Sequence, residues 1–143
     1  MKTITPDYIT ELASNEVFVF GSNLSGIHGG GAAFMAKERF GAISGIGVGM
    51  QGQSYAIPTK SHGIKRALTE KEMQPYINEF VEYAKEYPET NFLVTEVGCG
   101  LAGISHFTMA RLFHKAGAFN VSNIALPIKF RRFEKTFELL NND

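Results

Sequence analysis

Two stretches of this chain carry the residue types that hold an anion. The first reads Gly21-Ser22-Asn23-Leu24 and then His28-Gly29-Gly30-Gly31-Ala32-Ala33, which sets glycines around one amide and one imidazole. The second, Val97-Gly98-Cys99-Gly100-Leu101-Ala102-Gly103, sets glycines around the only cysteine of the chain. Each follows an apolar run and precedes a stretch of helix formers. A strand, glycine loop and helix in that order present free backbone N–H groups at the positive end of the helix dipole, and glycine lets that backbone approach a phosphate. Ligands of open α/β sheets bind beyond the carboxyl ends of the strands, so both loops are expected to face one cleft and to hold two phosphates or one pyrophosphate. In the first loop Gly26, Gly29, Gly30 and Gly31 have the wrong spacing for Gly-x-Gly-x-x-Gly, and no Gly-Lys-Ser/Thr follows a glycine loop, so neither an ordinary Rossmann dehydrogenase nor a Walker-type NTPase is expected.

Several side chains near these loops have two readings. His28 is either a phosphate donor and general base or a polar residue that stabilises its loop. Cys99 is either a thiol activated by a helix N-terminus or a small buried side chain. Gln51, Gln53, Ser54 and Tyr55 either reach a ligand's hydroxyls or pin the glycine stretch beside them. Lys37 and Lys60 either offset phosphate charge or are solvated surface lysines. Phe130, Arg131, Arg132 and Phe133 set aromatics beside bases, which can stack on a nucleobase, or else they pack a last helix that turns Phe133, Phe137 and Leu140 inward. His62, His106 and His114 are dispersed without Cys or acidic partners at ligand spacing, so no metal and no cofactor is expected.

The elements that must position these groups alternate. The apolar run at residues 17–20 suits a buried strand, and residues 32–40 a helix. Residues 41–52 are again glycine-rich, and residues 54–57 form a strand stopped by Pro58. Thr69 with Glu72 makes a capping box for a helix ending near Tyr87, with Tyr76, Phe80, Tyr83 and Tyr87 at helical spacing. Pro75 either kinks that helix or lies in the first turn of a shorter one. Strands are expected at residues 92–97 and 121–126, a helix capped by Ser105 and stopped by Gly117, a short helix at residues 6–13, and a terminal helix at residues 131–140. This alternation calls for an α/β fold with a mixed, largely parallel central sheet flanked by helices.

A chain of 143 residues, 44% hydrophobic and 20% charged, is read as one domain over residues 1–143. Lys plus Arg equals Asp plus Glu at 14 each, so no basic face is expected and nucleic acid is not an expected partner. With one cysteine, no basic start followed by an apolar run, and no apolar stretch near the roughly 20 residues that span a bilayer, a cytoplasmic protein without membrane association is expected.

The same two loops, together with Gln53-Ser54-Tyr55-Ala56-Ile57-Pro58-Thr59-Lys60 between them, resemble the macro-domain family in order and spacing across residues 17–126. The resemblance implies a three-layer α/β fold that binds ADP-ribose or a related nucleotide diphosphate, with removal of ADP-ribose from a modified target as an attendant activity. It implies a ligand-binding set of Gly21, Ser22, Asn23, Gly29, Gly30, Gly31 and Ala32 from the first loop, with Asn23 toward the distal ribose or its phosphate. From the second loop it implies Gly98, Cys99, Gly100, Leu101, Ala102 and Gly103 around the diphosphate. The chain is most similar to the small branch containing the terminal ADP-ribose deacylating macro domains, whose second loop reads Gly-Cys-Gly-Leu before an acidic residue. Ala102 stands at that acidic position, and no acidic residue between Val17 and Lys37 matches the family's adenine-reading Asp. Lys37 lies near the branch's helix lysine. The catalytic candidates are thus His28, Asn23 and Lys37, with a water placed by the ligand's diphosphate and by Asn23 or His28. The alternative is a non-catalytic module that sequesters a nucleotide signal or binds a protein partner.

Overall fold

The computed structural model describes residues 1–141. Its centre is β1 (Glu16–Asn23), in which Val17 and Val19 turn to one face of a sheet while Phe18 and Phe20 turn to the other. A strand with both faces apolar must be covered on both sides, and here it is. β1 pairs in parallel with β3 (Ser54–Lys60) and with β4 (Asn91–Val94). The short β5 (Ile124–Ala125) continues in parallel beyond β4, and β2 (Gly49–Gln51) adds an antiparallel edge to β3, giving the order β2-β3-β1-β4-β5. The expected mixed, largely parallel sheet between helices is present.

One face carries α1 (Gly31–Arg39), whose Ala33 and Ala36 let it sit closely on Phe18 and Phe20, with the ring of Phe40 4.9 Å from that of Phe18. The other face carries α2 (Glu70–Glu86), α3 (His106–Lys115), α4 (Ile128–Arg131) and α5 (Glu134–Asn141) over a larger core built on Ile77, Phe80, Phe92, Met109, Phe113 and Phe130. No described helix is long and apolar enough to cross a membrane.

Several boundaries differ from the sequence reading, each for a physical reason. Residues 6–13 form no helix. Instead Thr5 N–H donates to Leu126 and Leu126 N–H to Thr3, which ties this segment to the sheet as an extended strap, and Ile9 and Leu12 pack beside α1. β1 runs on through Gly21, Ser22 and Asn23 because β3 runs on beside it. Pro58, with no N–H to give, falls where the register slips from Ser22 opposite Pro58 to Asn23 opposite Lys60. β4 stops at Val94 and β5 is far shorter than residues 121–126, while the terminal helix is divided into α4 and α5. Phe130 and Phe137 are buried, but Leu140 faces solvent. The antiparallel β2, inside the glycine-rich stretch, has no counterpart in the sequence reading.

α2 begins at its capping box: Thr69 Oγ1 accepts from Glu72 N–H at 3.2 Å and Glu72 Oε1 accepts from Thr69 N–H at 2.9 Å. The helix continues unbroken through Pro75. Its buried stripe is Met73, Ile77, Phe80, Val81 and Ala84, so Tyr76 and Tyr83 flank it and Tyr87 caps the end in solvent. The Arg66 guanidinium and the Thr69 N–H hold the Glu72 carboxyl down to about 2. Replacing Thr69 by Ala is expected to lower the unfolding free energy by about 1 kcal/mol in urea titration, the usual worth of an N-cap. A loss below about 0.3 kcal/mol would show that this box adds nothing to stability.

Candidate functional site

β1 and β4 lie side by side, so the chain leaves the same edge of the sheet twice in neighbouring places. After β1 it forms a first loop through Gly26 and Gly30 into α1, and after β4 a second loop through Gly98 and Gly100 toward α3. The bases of the two loops touch. A Cβ on Gly21 would stand 3.1 Å from the nitrogen of Gly98, and Gly98 itself holds φ +78°, a left-handed conformation that glycine adopts without strain. The loops thereby form opposite walls of one cleft of about 330 Å³, which also takes in Thr59, Lys60, Ile64, Thr95 and Glu96.

The first wall is supplied with donors. Gly30 is the extended N-cap of α1, without a side-chain cap, and Gly31 has φ +58° before the right-handed turn begins at Ala32. A left-handed residue followed by helical ones turns successive N–H groups to one side, the arrangement that binds anions. Across the cleft the second loop closes on itself through Cys99 N–H to Glu96, Gly103 N–H to Gly100 and Ile104 N–H to Gly98. Among the described residues no protein acceptor takes the N–H groups of Gly29, Gly30 and Gly31 on one wall, or of Gly100, Leu101 and Ala102 on the other. Lys60 contributes the cleft's one cationic side chain among the described residues.

Of the residues expected at a site, Gly21, Ser22, Asn23, Gly29, Gly30, Gly31, Ala32, Gly98, Gly100, Leu101 and Ala102 line this cleft. His28, Lys37, Cys99 and Gly103 do not. The His28 ring turns away from the cleft and into the protein, 3% exposed, with Nε2 donating to the carbonyls of Ile43 at 3.0 Å and Ile46 at 3.1 Å and the ring edge-on to Phe20. It is a brace between the first loop and residues 41–52. Lys37 is exposed on α1, away from the cleft wall. Gly103 closes the turn before α3. Cys99 faces the protein, where its thiol approaches the carbonyl of Val97, and burial pushes it up to about 11 with the Glu96 carboxylate adding to the effect.

Asn23 is on the wall, but its amide is engaged: Nδ2 donates to Ile27 O at 2.7 Å and Oδ1 accepts from Ile27 N–H at 3.0 Å. The pair clamps residues 23–27 into a closed turn that carries Gly29 and Gly30 to the cleft. Gln51 pins the neighbouring stretch, accepting from Ile43 N–H at 2.6 Å and donating to Ile46 O at 3.1 Å, and Gln53 and Ser54 likewise donate to backbone carbonyls. Phe130 is fully buried and Phe133 packs on Phe107 and Phe137, so neither reaches the cleft.

Sequence reasoning missed Thr59, Thr95 and Glu96 as wall residues. The signal for the last two was their place between the end of a central strand and a glycine loop, the position where open sheets present side chains to ligands. It missed as well a second cavity of about 300 Å³ between the strap and α1, floored by Phe18, Met35, Ile9 and Pro127 and edged by Thr5 and Asp7. This strap cavity adjoins the glycine-lined cleft through Gly31, Ala32, Thr95 and Glu96, which line both. Comparisons with protein-family models, curated proteins and solved structures found no match.

Two outcomes test these placements. His28→Ala removes a buried ring together with its hydrogen bonds to Ile43 and Ile46, and is expected to reduce stability by about 2 kcal/mol in chemical denaturation; unchanged stability would contradict the brace. The thiolate of Cys99 forms only as pH approaches about 11, so its alkylation by iodoacetamide is expected to keep accelerating up to that pH. A rate already at its plateau by pH 9 would overturn the half-buried placement.

Proposed function

We propose that this chain binds ADP-ribose or a related nucleotide diphosphate, with the diphosphate between the two glycine loops and the base in the strap cavity. The observation that carries this reading is the pair of loops that line one cleft with residues 29–31 and 100–102, whose N–H groups have no acceptor among the described residues. Two donor-rich walls suit two linked phosphates better than one anion, and Lys60 offsets part of their charge. The adjoining cavity has an apolar floor at the right place for a flat ring covalently attached to the diphosphate. The buried hydroxyl of Thr5, which has no partner among the described residues, supplies a polar group at that cavity's edge. The macro-domain resemblance of the two loops points the same way.

Binding without turnover is the favoured form. Two of the residues nominated for water activation are unavailable to a ligand: His28 is spent on two carbonyls and Lys37 lies outside the cleft. Ala102, where the similar branch carries an acid, contributes only a methyl group. The reading is thus of a module that captures an ADP-ribose-like ligand, free or attached to a macromolecule, and not of a hydrolase running the lysine–aspartate route.

Calorimetric titration with ADP-ribose, and with AMP as a control, tests it. A Cβ at Gly100 would meet no atom within 4 Å, and one at Gly30 only the tip of Leu101 at 3.8 Å. Gly30→Ala and Gly100→Ala are therefore expected to melt like the parent protein while losing about tenfold or more in affinity for ADP-ribose, because the added methyl group blocks approach to the N–H groups. Undiminished binding in both variants would remove the diphosphate from between the loops.

A further inference from the structure

The junction between the two cavities is narrow in its chemistry. Gly31 and Ala32 offer it backbone and a methyl group, and the hydroxyl proton of Thr95 is committed to Val19 O at 2.8 Å. That leaves Glu96, which lines both cavities, as the one charged side chain there and so the strongest acceptor at the junction. Its carboxylate is anchored from behind. Oε1 accepts from His106 Nε2 at 2.6 Å and lies 3.7 Å from Lys129 Nζ, while Oε2 has no partner among the described residues. His106 is itself fixed, as the first residue of α3 with its ring beside the buried Phe130.

From this we infer that Glu96 reads the sugar of the ligand: its Oε2 accepts hydrogen bonds from the hydroxyls of the ribose that joins base to diphosphate, and so selects a ribonucleotide over its deoxy counterpart. The inference rests on the reading that one nucleotide diphosphate spans both cavities. Given that span, the group passing Glu96 is the ribose. A carboxylate repels phosphate and, when ionised, has no proton to donate, so its partner at the junction must be a neutral donor. A vicinal diol meets that requirement with two O–H groups, and hydrogen bonds to a charged acceptor are stronger than neutral ones. The anchoring by His106 and Lys129 serves selectivity, because a carboxylate already held in place loses little freedom when the sugar arrives. Removal of a hydroxyl takes one of its donors from a charged acceptor, which is the kind of loss by which binding sites reject an analogue lacking a polar group.

The test is calorimetric titration of the full chain, parent and Glu96→Ala, with ADP-ribose and with its analogues lacking the 2′ or the 3′ hydroxyl of the adenosine ribose. The parent is expected to favour ADP-ribose over at least one analogue by about tenfold. In Glu96→Ala that preference is expected to vanish, ADP-ribose and the analogue then binding alike. An unchanged melting temperature controls for folding, and Glu96→Gln, whose amide oxygen still accepts, is expected to keep part of the preference. Equal affinities in the parent, or a preference that survives in Glu96→Ala, would overturn the role of Glu96 and leave the nucleotide reading standing. No binding of ADP-ribose by the parent would overturn both.

Discussion

The close approach of two backbones, Gly21 at the end of β1 and Gly98 at the start of the second loop, is the constraint on which the rest of the site depends. A side chain on Gly21 would have to stand 3.1 Å from the nitrogen of Gly98, and Gly98 is itself crowded by Met109 and Ile104. Parallel pairing of β1 with β4 is what brings these positions together, since it sends both strands to the same edge of the sheet. Everything polar on the cleft walls follows from that placement. The loops face each other because the strands that deliver them are neighbours.

The first loop is held from below as well as from its ends. Gly47 packs so tightly beneath it that a Cβ there would lie 2.0 Å from the carbonyl oxygen of Asn23, and one on Gly26 would lie 2.3 Å from the nitrogen of Ile46. His28 and Ser22 add bonds into the same segment, His28 to Ile43 and Ile46 and Ser22 to Gly47. The glycine-rich residues 41–52 are therefore a supporting layer, with Gln51 as its internal tie, and β2 attaches that layer to the sheet. Rigid support of this kind lets free N–H groups remain free: a floppy loop would fold them back on its own carbonyls.

The distribution of charge around the groove gives it a direction. Lys60 lies on the glycine-lined cleft, Glu96 at the junction, and Asp7 on the strap cavity. An anionic group is drawn toward the first and away from the other two, and hydrogen-bond donors toward the second and third. The net charge of zero over the whole chain conceals this local order, which arises because residues far apart in sequence line two adjoining cavities.

The sequence by itself determined the layered α/β plan, since strand, glycine loop and helix recur and the apolar runs at β1 and β4 are too continuous to face water on either side. It determined the N-caps at Thr69 and Ser105, because capping is a local matter of a side chain and the next turn. It also identified the two loops and most of their wall residues. The tertiary structure decided whatever depends on which way a side chain turns: His28 inward to two carbonyls, Cys99 away from the cleft, Asn23 onto its own loop. It also decided what distant segments build together, above all the strap that pairs with Leu126 in place of forming a helix, and the cavity it closes against α1. Glycine spacing records where the backbone must bend or come close. Only packing decides which neighbours it comes close to, and that is why Glu96 and His106, ten residues apart, became visible as a pair only in the folded chain.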